Sequence, residues 1–219
     1  YPEITAMQAR AVIEAEILSF GFRLFGWRQV PIDESLIGDH ARQVRPEIEQ
    51  VLFRDERGRA PEDIARDLFI VRRRIETRVL EERLREVYVC SLSMDDVIYK
   101  GMFRAQDIAE FYLDLVDEDI SSAFAIFHQR YSTNTFPEWR LAQPFRMLAH
   151  NGEINTIRGN VRWMESHEPK MASRAFGPHG DDVKPVIQEG SSDSAALDAV
   201  FELLVRAGRS GPMAKALLM

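Results

Sequence analysis

The feature that most constrains the fold is an apolar run at residues 123–127, which leads directly into a dense polar series at residues 128–135. A short apolar run bounded by polar residues is typical of a strand buried on both faces. A second, shorter run at residues 146–149 leads in the same way into residues 150–156. The pattern predicts two strands that end in polar groups. Functional side chains of a sheet are often found at the ends of its strands.

The polar residues after these strands include groups suited to binding a carboxylate and an oxyanion. Arg130 offers a planar guanidinium that can grip a carboxylate with two parallel hydrogen bonds. Asn151 and Gly152 place a side-chain amide beside an unobstructed backbone N–H, which is the composition of an oxyanion hole. Each has a simpler interpretation, because Arg130 could pair with one of the 35 acidic residues and Asn-Gly is an ordinary turn signal.

Two motifs in this region resemble a known family. Arg130-Tyr131-Ser132-Thr133 and His150-Asn151-Gly152 resemble the glutamine-binding and oxyanion segments of class II glutamine amidotransferases. The longer run at residues 129–155 is similar to the amidotransferase domain of the glutamate synthase family, large subunit. Further similar segments lie at residues 26–31, 45–50, 91–93, 98–102 and 184–187. The resemblance covers nearly the whole chain, and the ordered series is more specific than either motif alone.

Hydrophobic periodicity predicts helices alternating irregularly with strands, which indicates an α+β fold. The predicted helices begin near residues 4, 61, 108, 157 and 192, with Asn155 as the predicted cap of the fourth. The other predicted strands span residues 22–30, 48–53, 87–92 and 97–102. The resemblance implies more, namely an incomplete four-layer αββα sandwich of the N-terminal-nucleophile hydrolase type. Residues 1–219 would form part of a single class II glutamine amidotransferase domain.

The resemblance also assigns roles to residues of the candidate site. Arg130, Thr133 and Asp193 would bind the substrate, with Asp193 holding its ammonium group, and Asn151 and Gly152 would stabilise the oxyanion. Thr133 has a simpler interpretation as a residue that closes the strand. Asp193 has one as a helix cap, since Asp193 opens a predicted helix.

One departure from the family concerns the nucleophile. Enzymes of this family use the cysteine that begins the mature chain, and this chain begins with Tyr1. We therefore expect an internal fragment that lacks the start of its domain and is inactive alone. A relative that kept the fold but lost the nucleophile is the alternative.

The implied reaction is hydrolysis of L-glutamine to glutamate and ammonia, which passes to 2-oxoglutarate for reductive glutamate synthesis. The implied partners are the remaining domains of the large subunit and a smaller electron-delivering subunit. FMN and an iron–sulfur cluster would belong to those other domains, and we expect no cofactor in this chain. An amidotransferase with another acceptor, such as a sugar phosphate, is a further alternative.

Composition argues against several other classes. The net charge of −7 argues against a nucleic-acid surface, and no apolar run approaches the roughly 20 residues that cross a bilayer. The chain is therefore predicted to be cytoplasmic. The five histidines show no tight ligand spacing, which argues against a metal site, and the single cysteine, Cys90, has the apolar neighbours typical of a buried, inert thiol.

The long helix predicted from Pro61 has many charged residues of both signs opposite its apolar face. Alternating charges of this kind are typical of a solvated helix face with ion pairs along it. We therefore expect this face to lie in solvent, with Arg72, Arg73 and Glu76 among its exposed residues.

Overall fold

The computed structural model describes residues 2–84, 86–129, 137–152 and 154–218. Seven α-helices occur in these ranges: α1 Pro2–Ser19, α2 Asp39–Gln43, α3 Pro61–Glu81, α4 Ile108–Phe111, α5 Ile157–His167, α6 Asp193–Arg206 and α7 Gly211–Leu217. Two strands, β1 Arg23–Gln29 and β2 Glu49–Arg54, pair in antiparallel register with Trp27 opposite Val51. The mixture of helices with a small sheet agrees with the α+β prediction.

Helix α3 is the centre of the packing. Its buried residues Leu68, Val71, Ile75 and Val79 join those of α1 in one hydrophobic cluster, against which β2 also packs. Its neighbouring residues Phe69 and Ile70 belong to a second cluster, with Phe176, Val183, Val186 and Leu203. Because α3 is covered on two sides, it holds together the N-terminal half of the chain and helix α6.

The prediction of a solvated charged face on α3 was wrong for its central residues, although Glu81 at the end of the helix is exposed. Arg72, Arg73 and Glu76 are buried, with exposed fractions of 3 %, 5 % and 6 %. The physical reason is that these charges neutralise one another and bond to partners distant in sequence, among them Glu202 of α6. Charge alternation alone does not distinguish this arrangement from an exposed face.

Several predicted strands are also wrong. Residues 87–92 and 97–102 form no strands, although the Cys90 thiol contacts the carbonyl oxygen of Ile98 at 3.5 Å, so the two segments do lie side by side. Residues 146–149 form no strand either, and the Phe145 N–H donates to the Leu148 oxygen at 2.9 Å across a turn. An apolar run forms a strand only if another strand supplies hydrogen-bond partners.

The run at residues 123–127 departs furthest from its prediction. It has no strand structure, and Phe124, Ile126 and Phe127 are 76 %, 66 % and 85 % exposed. None of the described residues pairs with it as a strand. Apolar composition predicts that burial of a segment is favourable in free energy, but it does not specify which part of the protein covers the segment.

The other predicted helices are found, with shifts at their ends. The helix predicted from residue 108 is divided into α4 and a 3₁₀ turn at Leu113–Val116. The predicted cap of α5, Asn155, is wrong by one residue, because the capping position is held by Thr156 in the left-handed region at φ 55°. Helix α6 is capped by Ser192, whose side-chain oxygen accepts from the Ala195 N–H at 3.1 Å.

A third hydrophobic cluster contains Val30, Ile37, Phe111, Tyr112 and Trp139, and it depends on a close backbone approach at Gly101. A Cβ atom on Gly101 would lie 2.3 Å from Cζ3 of Trp139 and 2.6 Å from Cε1 of Phe103. Both rings belong to this aromatic packing, since their centroids lie 6.1 Å apart in an edge-to-face arrangement. The residue therefore has to be glycine for steric reasons.

We expect Gly101→Ala to lower the free energy of unfolding by about 1–3 kcal/mol, the usual cost of overpacking. Gly159→Ala is the matched control, because Gly159 lies in α5 and an added methyl group there would have nothing within 4 Å. That control should be neutral or stabilising by roughly 0.5–1 kcal/mol. Denaturant titration of both variants measures the difference, and equal stabilities would contradict the steric explanation.

Candidate active site

The candidate oxyanion residues lie at the end of a segment comprising residues 146–152, called here the oxyanion segment. Asn151 and Gly152 are both exposed. The Gly152 N–H donates to Nδ1 of the His150 ring at 3.1 Å. Because a histidine nitrogen is a modest acceptor, a substrate oxygen that develops negative charge can replace it. Because both residues are exposed, a substrate can reach the Asn151 side-chain amide and the Gly152 N–H from solvent.

His150 is held in its neutral form. Burial lowers the pKa of His150, Lys215 and His128 lower that pKa further, and Asp193 acts in the opposite direction. A neutral ring with Nδ1 as acceptor carries its proton on Nε2, which is buried without a hydrogen-bond partner among the described residues. The ring therefore supports the Gly152 N–H around neutral pH rather than competing with it as a second donor.

The side chain of Gln143 fixes the backbone of His150. Its Oε1 accepts from the His150 N–H at 2.9 Å, and its Nε2 donates to the His150 carbonyl oxygen at 3.0 Å. The Nε2 atom of His128 also contacts that carbonyl oxygen, at 3.1 Å. Two hydrogen bonds from one planar amide define the orientation of the peptide groups that precede Asn151.

Asp193 occupies the first position of helix α6, directly after the capping residue Ser192. It is half-buried, and its Oδ1 accepts from the N–H and the hydroxyl of Ser194 at 2.7 and 3.3 Å. Its charge also acts on the His150 ring, as the pKa of His150 indicates. The helix that carries Asp193 contacts the oxyanion segment, because the Met147 and Leu148 N–H groups both donate at 2.8 Å to a side chain of α6. The fold thus joins two parts of the chain that are more than 40 positions apart in the sequence.

Two other predicted substrate-binding residues, Arg130 and Thr133, lie outside the described residues. Of the predicted site, the structure thus describes Asn151, Gly152 and Asp193. It adds Gln143 and His150, which sequence reasoning did not select. The sequence signal for these two residues was weak, because only the tertiary structure shows which backbone groups their side chains contact.

The thiol of Cys90 does not resemble an activated nucleophile. Burial raises the pKa of Cys90, while Lys100 and Arg146 lower it less strongly, so that the thiol stays protonated at neutral pH. The residue is half-buried rather than fully buried, and its contact with the Ile98 oxygen is an ordinary interaction of a protonated thiol. This agrees with the prediction of an inert cysteine.

Neither a metal site nor a membrane span is found in the part of the chain that the structure describes. Its residues contain no group of three or more His, Cys, Asp or Glu side chains arranged to hold a metal ion. None of the described helices is both long and apolar enough to span a membrane.

Comparison with known proteins defines the class. Residues 2–219 match the family of class II glutamine amidotransferases, and the chain belongs to this family. It is homologous to the corresponding domain of glutamate synthase large chains. It is 57 % identical to the glutamate synthase [NADPH] large chain of Azospirillum brasilense over 96 % of this chain. It is 43 % identical to ferredoxin-dependent glutamate synthase 1 of Arabidopsis thaliana and 40 % identical to the glutamate synthase [NADPH] large chain of Bacillus subtilis, over 93 % and 92 % of this chain.

The relatives are much longer than this chain. The matched region spans 14 % of the Azospirillum brasilense protein and 13 % of each of the other two. The comparison therefore concerns one part of a much larger protein. It confirms the resemblance of the chain to class II amidotransferases and to glutamate synthases.

Proposed function

We propose that this chain is the glutamine-binding part of the glutaminase domain of a glutamate synthase. The observation that carries the proposal is the exposed Asn151–Gly152 pair, at the end of a segment that contacts the helix carrying Asp193, in a chain with 57 % identity to such an enzyme. In the intact protein, ammonia released from L-glutamine would pass to 2-oxoglutarate. The complete domain would adopt the four-layer αββα sandwich, and the protein would be cytoplasmic.

The proposed mechanism places the two charged groups of glutamine at one end of the site. Arg130 would bind the α-carboxylate, Asp193 the α-ammonium, and Thr133 would also contribute to substrate binding. The side-chain amide then extends toward Asn151 and Gly152, where attack by a nucleophile turns its carbonyl oxygen into an oxyanion. The Gly152 N–H leaves His150 Nδ1 and donates to this oxygen together with the Asn151 amide.

The cofactors of the intact enzyme do not fit this chain. An iron–sulfur cluster needs several thiolate ligands, and the whole sequence contains one cysteine. The sequence also has no glycine-rich phosphate-binding loop of the kind that holds nucleotide cofactors. We propose that FMN and the iron–sulfur cluster are held by other domains, and that a smaller electron-delivering subunit binds there.

The experiment that tests the function is measurement of ammonia release from glutamine by the intact protein, with and without Asp193→Asn. The variant is expected to raise KM for glutamine by about 10- to 100-fold, because it removes a charge-assisted hydrogen bond to the ammonium group. The rate of glutamate synthesis with ammonia supplied directly should stay unchanged, since that route bypasses glutamine binding.

Asp63→Asn is the matched control for this variant. Asp63 lies in the first turn of α3 as Asp193 lies in the first turn of α6, so both substitutions remove the same favourable interaction with a helix N-terminus. The control should leave KM unchanged. An intact protein that releases no ammonia from glutamine, or an Asp193→Asn variant with normal KM, would overturn the assignment.

A further inference from the structure

Helix α6 contains a second aspartate, Asp198, which is 2 % exposed and contacts the oxyanion segment. Its Oδ1 accepts from the backbone N–H groups of Met147 and Leu148, both at 2.8 Å, and its Oδ2 accepts from the Arg146 N–H at 3.3 Å. Three consecutive peptide groups are thus bound by one carboxylate. Charge-assisted bonds of this kind are stronger and more directional than neutral ones.

The contacts of Asp198 differ from those of the other buried acids. Glu76 and Glu202 bond to guanidinium groups and thereby neutralise buried charge. Asp198 instead faces backbone N–H groups, although the Arg146 side chain is nearby and extends away to Glu76 and to the Val89 carbonyl oxygen. The Asp198 carboxylate therefore does more than neutralise the Arg146 guanidinium. It fixes the position of a backbone segment.

The attachment matters because the same helix carries Asp193. The two aspartates are five positions apart, which corresponds to a rise of about 7.5 Å along α6. Asp193 would hold the ammonium end of glutamine, and the segment bound by Asp198 leads to Asn151 and Gly152 at the other end. A shift of the segment along the helix would change the distance between the two ends of the site, whereas the length of glutamine is fixed.

We propose that Asp198 is a positioning residue that sets the distance between the ammonium-binding group on α6 and the oxyanion donors. In this role Asp198 acts through the backbone N–H groups of the oxyanion segment and not by contact with the substrate. Gln143 adds a second attachment by its two bonds to the His150 backbone. The proposal rests on the proposed function of the site.

The test compares Asp198→Asn with Glu202→Gln in the intact protein. Glu202 is the matched control because it lies one turn further along α6, is similarly buried and bonds to Arg72 rather than to the oxyanion segment. Both substitutions remove one buried carboxylate from the same helix and retain its size. Thermal unfolding measures the loss of stability that each causes.

Two readouts separate positioning from general destabilisation. In Asp198→Asn, kcat for glutamine hydrolysis should fall by about 10- to 100-fold and KM should rise, because misplacement of about 1 Å affects binding and reaction together. Backbone hydrogen exchange at Met147 and Leu148 should become faster. In Glu202→Gln, kcat, KM and the exchange at these two residues should stay close to wild type even if the protein unfolds at a lower temperature.

Unchanged kinetics and exchange in Asp198→Asn, or an equal kinetic loss in Glu202→Gln, would overturn the proposal. Failure of the proposed function has a different signature, since the wild-type protein would then release no ammonia from glutamine. Hydrogen exchange at Met147 and Leu148 remains measurable in that case, and unaltered exchange in Asp198→Asn would refute the attachment independently of activity.

Discussion

Asn151→Ala in the intact protein is expected to lower kcat for glutamine hydrolysis by about 10²–10³-fold, the usual effect of removing one oxyanion donor. KM should change little, because the donor bonds to the oxygen most strongly when that oxygen carries negative charge in the transition state. Asn151 is exposed at the end of the oxyanion segment, so the substitution should also leave the folded structure intact. Steady-state kinetics with glutamine measures both constants.

Asn160→Ala provides the control for this prediction. Asn160 is an exposed asparagine on α5, nine positions further along, and its side chain donates to the carbonyl oxygen of Asn155 at 3.5 Å. Its replacement should leave kcat within about a factor of two, since surface substitutions usually change little. An Asn151→Ala protein whose sole defect is a raised KM would place Asn151 in ground-state binding and contradict the oxyanion assignment.

Glu76→Ala is expected to cause the largest loss of stability. The Glu76 carboxylate accepts from Arg72 at 2.5 Å, Arg73 at 2.6 Å, Gln188 at 3.0 Å and Arg146 at 3.1 Å. Its removal leaves three guanidinium groups without their shared anion in the protein interior. Breaking a buried ion pair in this way costs about 3–5 kcal/mol, which lowers Tm by roughly 6–20 °C in a chain of this size.

Glu81→Ala is the matched control, since Glu81 is an exposed glutamate on the same helix. It should change the free energy of unfolding by less than about 0.5 kcal/mol. Unfolding of the two variants in guanidinium chloride compares their free energies of unfolding directly. A loss below about 1 kcal/mol in Glu76→Ala, well under the usual cost of a broken buried pair, would show that the cluster reorganises around the remaining charges.

The same cluster predicts a pH dependence. Burial by itself would raise the pKa of Glu76, but the guanidinium groups of Arg72, Arg146 and Arg73 outweigh burial and lower the pKa from 4.5 to about 2. A carboxylate with a depressed pKa stabilises the native state above its unfolded pKa and loses that contribution as pH falls. Wild-type protein should therefore lose stability between about pH 5 and 2, and Glu76→Gln should lose less over this range. Thermal unfolding of both proteins across that range measures the difference, and parallel losses would contradict the assignment to Glu76.

The sequence predicted five of the seven described helices, because their signals are local, and it did not predict the short helices α2 and α7. Pro61 at the first position of α3, Ser192 before α6 and Gly208 after it are each explained by backbone chemistry within one turn. Strand β1 was predicted for a similar reason, since an aromatic-rich run is bounded by a glycine and a proline. Local patterns also carried the two motifs by which the family was recognised.

The strand predictions that failed depended on distant partners. Residues 87–92 and 97–102 lie side by side without forming a ladder, and residues 123–127 remain exposed. Periodicity reports that a segment is apolar, whereas a strand requires backbone hydrogen bonds from another part of the chain. A pattern confined to a few neighbouring residues does not contain that information.

The sequence by itself therefore determined most of the helices and the family, and it supplied Asn151, Gly152 and Asp193 as candidate site residues. Only the tertiary structure decided that charged residues of α3 are buried and that Asp198 binds the backbone of residues 146–148. The physical reason is that burying a charge is favourable only when partners from elsewhere in the chain compensate its lost hydration. Those partners are brought together by folding, and their sequence positions, such as 72 with 202, do not reveal the contact.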